Sequence, residues 1–361
     1  MSFADTRFSN RRRALAAKLA GQRIDSMLVT HLTHVRFLSN FSGSNAALLV
    51  NKDLSARICT DGRYTLQIAA EVPDLEALIE RNSAKALLSE VQGPRRVGFE
   101  ADYVSVAELE RLKEAAGEDV VLVPVTGVIE ELRLVKDELS LDRLREVAAL
   151  ATASLEKLLE GELRGRSERD IAAELEYLMR AAGAERPSFD TIVASGSNSA
   201  KPHHGAEDRV IQDGDFLTID FGAHDRGFNS DMTRTFVVGE PDAEMRKIYQ
   251  TVLAAQEAGI AAATPGTELV DVDKACREVI AAAGYGAYFV HSTGHGVGLD
   301  VHEAPYAAQS GEGVLEAGMT LTIEPGIYVP GLGGVRIEDT LIISSGAPEI
   351  ITVMSKELTV L

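Results

Sequence analysis

The sequence predicts an α+β fold with two domains, and three observations support this prediction. The chain has 361 residues, which is more than one typical domain holds. Short β-type runs dominate the first third, whereas long helical patterns begin only after it. In that later part the order helix, helix, strand, loop, hairpin occurs twice. We therefore expect a smaller α/β domain over residues 1–130 and a larger, internally duplicated domain over residues 135–361.

The first domain is predicted to alternate apolar strands with polar turns. Helical patterns over residues 11–20 and 103–116 accompany these strands. Six short apolar runs are expected to be strands, at residues 27–30, 46–50, 56–60, 75–79, 96–99 and 120–123. The pattern changes between Pro124 and Lys136, and we place the domain boundary there.

The second domain is predicted to contain two copies of one plan. The first copy has helices over 137–161 and 167–183, a strand over 189–194, a polar loop over 195–208 and a hairpin of 215–222 with 231–239. The second copy has helices over 242–263 and 269–283, a β-type stretch over 287–292, a polar loop over 294–302 and a hairpin of 320–329 with 335–344. Ser167 and Asp170 form a capping box, and Gly284 ends the last helix.

Each predicted hairpin carries two acidic residues on its strands. Asp220 and Asp231 flank the first turn, and Glu324 and Glu338 flank a second turn centred on Gly331. We expect the members of each pair to lie directly opposite one another, with Cβ atoms about 4.5–5.5 Å apart. Four carboxylates brought together repel one another unless cations lie between them. The pattern therefore favours a two-metal hydrolytic site over a solvent-exposed polar face, which would usually include Lys.

A loop rich in histidine and glycine supplies candidate nitrogen ligands. His291, His295 and His302 occur in this loop, and His203 and His204 precede the first hairpin. A single His is more often structural, but three at this spacing beside four acids favour metal binding or catalysis. Carboxylates with imidazole suit Mn²⁺, Co²⁺, Fe²⁺ or Zn²⁺. We expect two divalent ions, with Mn²⁺ as the first choice.

Composition excludes several classes of partner. The net charge of −19 disfavours nucleic acid and anionic membrane surfaces. No apolar run reaches the ~18 residues of a membrane span, and residues 1–13 lack the apolar run of a signal peptide. The two cysteines, Cys59 and Cys276, lie in different predicted domains and indicate no disulfide framework. We expect a cytoplasmic protein that binds neither nucleic acid nor membrane.

The chain resembles the proline-specific metallopeptidases of the pita-bread fold, namely the Xaa-Pro aminopeptidases and the Xaa-Pro dipeptidases (prolidases). The resemblance covers essentially the whole chain, and its first third is similar to the creatinase-like N-terminal domain of that family. The motifs that carry it are Asn40-Phe41-Ser42-Gly43-Ser44-Asn45, Thr60-Asp61-Gly62-Arg63-Tyr64, Pro187-x-Phe189-x-x-Ile192-Val193-Ala194-Ser195-Gly196-x-Asn198-Ser199-Ala200, Asp220-Phe221-Gly222, Ser230-Asp231-Met232-Thr233-Arg234-Thr235, Gly294-His295-Gly296-x-Gly298, His302-Glu303-x-Pro305, Thr322-x-Glu324-Pro325-Gly326 and Val335-Arg336-Ile337-Glu338-Asp339.

The resemblance implies a metal-binding role for five residues, all of the expected type. Asp220 chelates one ion, and Asp231 and Glu338 bridge both ions. His295 and Glu324 bind the second ion. Glu324 is also expected to take the proton of the attacking water.

The resemblance also implies roles for residues around the metals. His203 and His302 match the two histidines that act on the substrate carbonyl and the scissile nitrogen. His291 and Arg336 are assigned to substrate binding. We expect His224, in the first hairpin turn, to be exposed.

The implied activity is hydrolysis of the bond between an N-terminal residue and a following proline, with a small peptide as substrate and a homodimer as the assembly. We favour an Xaa-Pro aminopeptidase, and the alternative is an Xaa-Pro dipeptidase that acts only on dipeptides. A dipeptidase needs a group for the free carboxylate, for which Arg36, Arg63, His31 and His34 are candidates. A creatinase-like amidinohydrolase and a non-catalytic pita-bread binding module are disfavoured because both lack the full ligand set. Methionine aminopeptidase is disfavoured by the long N-terminal domain.

Overall fold

The computed structural model describes residues 6–93 and 95–361. The first five residues of the segment in which we expect no signal peptide lie outside the described residues. The chain divides into two compact units, with the division between Arg133 and Leu134. Both units mix helices with strands, which confirms the predicted α+β class. Among the described residues, none of the helices combines the length and the apolar character needed to cross a membrane.

The first unit is a six-stranded mixed sheet with short helices. Its strands are β1 (Ser26–Val29), β2 (Ala46–Asn51), β3 (Ala56–Thr60), β4 (Glu76–Ile79), β5 (Arg95–Glu100) and β6 (Val120–Val125). Their order in the sheet is β4-β3-β2-β1-β5-β6. All six predicted strands are therefore present.

The helices of this first part of the chain are α1 (Arg7–Gly21), α2 (Leu32–Ser39), α3 (Thr65–Glu71), α4 (Ser83–Ser89), α5 (Val106–Ala115) and α6 (Val128–Leu134). The helices α1 and α5 confirm the two helical patterns found in the sequence. The other four were not predicted, because seven or eight residues are too few to show a helical period clearly.

The second unit contains four long helices and a set of short sheets. The helices are α7 (Glu138–Leu158), α8 (Glu168–Ala181), α9 (Ala243–Ala262) and α10 (Leu269–Ala282). The strands are β7 (Arg186–Pro187), β8 (Ile192–Ser195), β9 (Phe216–Phe221), β10 (Ala223–Asp225), β11 (Phe228–Asn229), β12 (Met232–Val237), β13 (Gly294–Gly296), β14 (Glu303–Ala307), β15 (Thr320–Ile323), β16 (Gly326–Val329), β17 (Gly333–Arg336), β18 (Asp339–Ile342) and β19 (Glu349–Ile350).

Three of the four long helices have a side-chain cap at the N-terminus, and two are followed by a glycine with positive φ. The carboxylates of Asp137 and Asp242 and the hydroxyl of Ser167 accept hydrogen bonds from the backbone three residues on, at 2.8–3.1 Å. Gly183 and Gly284 follow α8 and α10 with φ of 117° and 91°, which a residue without Cβ adopts without strain. These caps set where the chain turns back toward the hairpins.

Each helix pair of the second unit packs an apolar core against one of the two hairpins. The helices α7 and α8 cover β8, β9 and β12, with Leu155, Leu175 and Ile219 fully buried. The helices α9 and α10 cover the second hairpin in the same way, with Val252 and Leu321 fully buried. Helix pairs on one side leave the opposite, polar faces of the strands turned toward a common centre.

The second hairpin has the register that the sequence predicts. Ile323 pairs with Asp339 in one ladder, and Gly326 pairs with Arg336 in the next. The register is unchanged across the interruption, so Glu324 lies opposite Glu338.

The prediction for the first hairpin is wrong by two residues. Asp220 pairs with Thr233, so Asp231 lies diagonally across from it rather than opposite. The cause is a two-residue turn at Arg226 and Gly227, both with positive φ, which places the centre of the hairpin later than assumed.

The predicted strand over residues 287–292 is also wrong. This stretch begins with the 3₁₀ helix Gly286–Tyr288 and forms no strand. Its aromatic and β-branched residues favour a strand by propensity, but Val290 is 65% exposed and no neighbouring strand pairs with the run. The following loop, in turn, contains the short strand β13.

Candidate metal centre

All nine predicted site residues line one cavity of the second unit, with a volume of about 430 Å³. The carboxylates come from the two hairpins, and the imidazoles come from the segments before each hairpin. These residues are Asp220, Asp231, His203, His291, His295, His302, Glu324, Arg336 and Glu338. The duplicated plan thus delivers side chains from both halves to one place.

The potential ligand atoms form three overlapping groups, each within 4.8 Å. Asp231 and Glu338, one from each hairpin, share one group with Asp220. Glu338 also belongs to a second group with His295 and Glu324. Asp231 belongs to a third group that contains His302. Overlap of this kind allows one residue to contact two ions.

The buried carboxylates carry the electrostatic signature of a cation site. Burial raises the pKa of Asp231 and of Glu338 well above the usual values, and the neighbouring acids raise both further. Within the described part of the chain, Oδ1 of Asp220 is buried and accepts no hydrogen bond. A buried acceptor without a donor, among three other acids, fits divalent cations.

His295 presents one ring nitrogen to the acids. Its Nδ1–H donates to the carbonyl of Gly296 at 3.0 Å, which leaves Nε2 3.3 Å from Glu324 and 3.6 Å from Asp231. Burial acts to raise the pKa of Glu324, but the hydrogen bond and charge of His295 outweigh it and lower the pKa to about 2. His295 therefore directs Nε2 toward the acids.

Arg336 joins the two halves at the edge of the site. Its Nη2 donates to Asp220 at 2.6 Å and its Nη1 donates to the hydroxyl of Tyr328 at 2.7 Å. His291 donates from Nδ1 to the carbonyl of Ser292, so its Nε2 accepts from the same hydroxyl at 2.8 Å. Tyr328 was missed in the sequence, although it shares a strand face with Glu324 by period two.

Two residues of the first hairpin that sequence reasoning also missed hold Glu338 in place. Thr233 donates its hydroxyl to Oε2 of Glu338 at 2.6 Å. Arg234 is buried and donates to the carbonyl of Glu338 and to the carboxylate of Asp339, at 2.5 and 2.8 Å. The signal available in the sequence was an Arg in the middle of a predicted strand, a residue type that is seldom buried without a partner.

The remaining histidines, His203, His204 and His224, differ in burial and in their partners. His203 is exposed in the cavity, whereas His204 is buried and points away toward Glu168. The prediction that His224 is exposed is wrong, because it is only 7% exposed. It lies on β10, between β7 and β11, and its Nδ1 contacts Asn229 at 2.8 Å.

Two of the candidate carboxylate-binding residues in the first unit have internal partners. Arg63 donates to Asp61 through Nε and Nη2, both at 2.8 Å. His34 is fully buried, with Nδ1 2.5 Å from Glu100. Both contacts favour structural roles within that unit.

The sequence matches known families over both units. Residues 142–345 match metallopeptidase family M24, and residues 11–135 match the creatinase/prolidase N-terminal domain. The chain belongs to metallopeptidase family M24. It is an enzyme, a metallo-exopeptidase, and membership of this family implies divalent metal ions in the cavity described above.

Relatives within family M24 extend over the full chain. An Xaa-Pro dipeptidase of Pyrococcus horikoshii is 38% identical over 93% of this chain and 94% of its own length. The structure of an Xaa-Pro dipeptidase from Bacillus anthracis is 40% identical, with a TM-score of 0.93 over 98% of this chain and all of its own. That of an X-Pro aminopeptidase from Thermotoga maritima is 33% identical, with a TM-score of 0.87 over 96% of this chain and 99% of its own. These similarities confirm the pita-bread metallopeptidase fold inferred from the motifs.

Proposed function

We propose that this chain is an Xaa-Pro dipeptidase that hydrolyses the bond between an N-terminal residue and a C-terminal proline. The full-length similarity to Xaa-Pro dipeptidases, together with a complete set of carboxylates and imidazoles in one cavity, carries this proposal. The aminopeptidase that the sequence analysis favoured receives weaker support, since the aminopeptidase structure is less similar than the dipeptidase structure. It remains the second candidate.

Five side chains would hold the metals. Asp231 and Glu338 would contact both ions, Asp220 would complete one site, and His295 and Glu324 would complete the other. We propose Mn²⁺ at both positions, with Co²⁺, Zn²⁺ or Fe²⁺ as alternatives of similar ligand preference. When bound, the ions act as Lewis acids and lower the pKa of a water molecule.

The residues around the metals would handle the substrate and the protons. Glu324 would accept the proton of the attacking water and return it toward the leaving nitrogen. His203 and His302 would donate hydrogen bonds to the substrate carbonyl and contact the scissile nitrogen. Arg336 would hold Asp220 and Tyr328 in place, and His291 would hold Tyr328 from the other side.

Recognition of proline requires apolar surface rather than hydrogen bonds to the scissile amide. The scissile nitrogen belongs to the proline ring and carries no N–H, and the ring fixes φ. Phe189, Ile192 and Pro202 line the cavity and would supply that surface. We also propose a homodimer in a reducing cytoplasm, in keeping with the family resemblance and with two buried, unpaired cysteines.

A substrate series tests the proposal. The purified chain, freed of metal by EDTA and reconstituted with Mn²⁺ or Co²⁺, should cleave an Xaa-Pro dipeptide. It should cleave the matched Xaa-Pro-Yaa tripeptide at least about 100-fold more slowly, because a free carboxylate on the proline would be required. An Xaa-Ala dipeptide controls for proline. Equal cleavage of dipeptide and tripeptide would establish the aminopeptidase, and full activity of the stripped protein would exclude the metal centre.

A further inference from the structure

A fully buried carboxylate outside the metal site, that of Glu168, holds the segment that carries His203. Glu168 is the first residue of α8 and has no exposed surface. It accepts hydrogen bonds from the backbone and hydroxyl of Ser195, both at 2.7 Å, and from Asn198 at 3.1 Å. It also accepts from Nε2 of His204 at 2.8 Å and from the backbone of Glu207 at 3.2 Å. One side chain therefore fixes residues 195–207 at four points.

His203 lies between two residues that are themselves held. Its neighbour His204 is buried against Glu168. On the other side, the carbonyl of Pro202 accepts from Nη1 of Arg336 at 3.3 Å. His203 itself reaches into the cavity of the metal centre. Its position is thus set by its neighbours on both sides.

The second half contains a counterpart of this anchor. Asp273, on the second helix of that half, is 1% exposed and accepts from the backbone and hydroxyl of Thr293 at 3.1 and 2.9 Å. The carbonyl of Thr293 accepts from the backbone of Glu324 at 2.8 Å. His295 follows two residues later. The same device, a buried acid that binds a Ser or Thr before the site loop, therefore supports metal ligands in this half.

We propose that Glu168, acting through His204, is the positioning residue for His203, whereas Asp273 positions the ligands His295 and Glu324. This inference rests on the proposed function, in which His203 acts on the substrate and His295 holds metal. It assigns the two buried acids to different steps: Glu168 to turnover and Asp273 to metal binding. Displacement of a catalytic group by about 1 Å can cost on the order of 100-fold in rate.

A double-mutant cycle tests the assignment. Glu168→Gln keeps the volume of the side chain but places an amide against the donors of His204 and Glu207. We expect kcat to fall about 100-fold, with KM and two-metal stoichiometry unchanged. In a His203→Ala background the same substitution should cost less than about 2-fold, since its partner is already absent. An equal loss in both backgrounds would show that Glu168 is only structural.

Asp273→Asn is the matched control, because it removes an equally buried acid from the other half. It should weaken metal binding about 10- to 100-fold and keep its full effect in the His203→Ala background. His204→Phe serves if Glu168→Gln does not fold, because it keeps a buried ring and removes the Nε2 contact with Glu168. It should give a smaller loss of kcat with the same cancellation in the His203→Ala background.

A spectroscopic readout separates this inference from the proposed function. In the protein reconstituted with diamagnetic Zn²⁺, the ring proton resonances of His203 and His302 can be assigned by their loss in His203→Ala and His302→Ala. Glu168→Gln should shift the His203 resonance and leave that of His302 in place, whether or not any peptide is cleaved. An unmoved His203 resonance would overturn the positioning role, whereas failure to cleave any Xaa-Pro dipeptide would overturn only the proposed function.

Discussion

The two halves of the second unit share one plan but contribute different chemistry to the cavity. In the first half Asp220 and Asp231 are offset by two residues across the hairpin. In the second half Glu324 and Glu338 lie opposite each other. Opposite residues have Cβ atoms about 4.5–5.5 Å apart, and diagonal ones are farther apart, at about 7–8 Å. A small change of register in a duplicated scaffold thus converts a symmetric arrangement into an asymmetric set of carboxylates.

The asymmetry gives each acid a different neighbour. The offset leaves Asp220 next to the guanidinium of Arg336, whereas Asp231 faces Glu338 and the histidine loop. Burial raises the pKa of Asp231 and Glu338 strongly, but Glu324 has its pKa lowered by His295. Asp231 and Glu338, the central pair, therefore carry most of the repulsion that bound cations would relieve.

The largest expected effect concerns this central pair. Asp231→Asn and Glu338→Gln should each abolish two-metal binding and reduce activity by at least about 1000-fold, because each would remove a ligand that we propose contacts both ions. The metal-free variants should be more stable than the metal-free wild type, because burial and the neighbouring acids oppose ionisation of both carboxyls. Metal analysis measures the number of bound ions, and urea unfolding measures the stability of the metal-free proteins. If one variant keeps both metals, the two halves do not contribute equivalent bridges.

A smaller effect should separate the histidines of the two halves. His295→Ala should lose one metal equivalent, because its Nε2 faces Glu324 and Asp231. His203→Ala should keep both metals and lose about 100-fold in kcat, the usual contribution of a positioned acid or donor. Metal content measured beside steady-state kinetics decides this. Metal loss in His203→Ala would show that the first half supplies a ligand we assigned to catalysis.

Glu168, the buried anchor of the first half, should also make the stability of the protein depend on pH in the acidic range. Burial opposes ionisation of Glu168, but its hydrogen bonds to Ser195 and His204 lower its pKa from the usual 4.5. A lowered folded-state pKa stabilises the protein above about pH 4.5, and this contribution is lost as pH falls through the lowered value. Wild type should therefore lose more stability than Glu168→Gln on acidification below that pH, as measured by urea unfolding.

A partly exposed acid of the second half provides the control for that comparison. The pKa of Glu349 is lowered by its hydrogen bonds to Arg145, but its side chain is 42% exposed. Solvent screening limits such pairs to roughly 0–1 kcal/mol. Glu349→Gln should therefore change the acid dependence of unfolding less than Glu168→Gln does, and the opposite ranking would contradict the buried network.

The acids and His295 could be found from the sequence because their signals are local. Period-two alternation and a Gly-rich turn predicted that Glu324 faces Glu338, and these depend only on nearby residues. Thr233 and the anchor Glu168 were missed because each acts through a partner far away in the chain. Tyr328 was missed although period two places it on the strand face of Glu324. The register of the first hairpin was wrong because a non-glycine residue, Arg226, occupies a turn position with positive φ.

That turn gives the smallest effect and the most direct comparison of the two hairpins. Arg226 has φ of 48° and precedes Gly227, whereas the second turn has Gly331 at φ of 84°. Type I′ turns favour Asn-Gly, since Asn tolerates positive φ better than Arg. Arg226→Asn should therefore stabilise the protein by about 0.5–1 kcal/mol, with unchanged kcat and metal content.

The second turn should respond in the opposite direction. A Cβ at Gly331 meets no atom within 4 Å, so the cost of Gly331→Ala comes only from its positive φ. We expect a loss of about 1 kcal/mol. Thermal unfolding of the two variants beside wild type measures both shifts. If Arg226→Asn destabilises the chain, then the contacts of Arg226 with Asp225 and Glu146 outweigh the backbone strain, and the turn residue itself stabilises the shifted register.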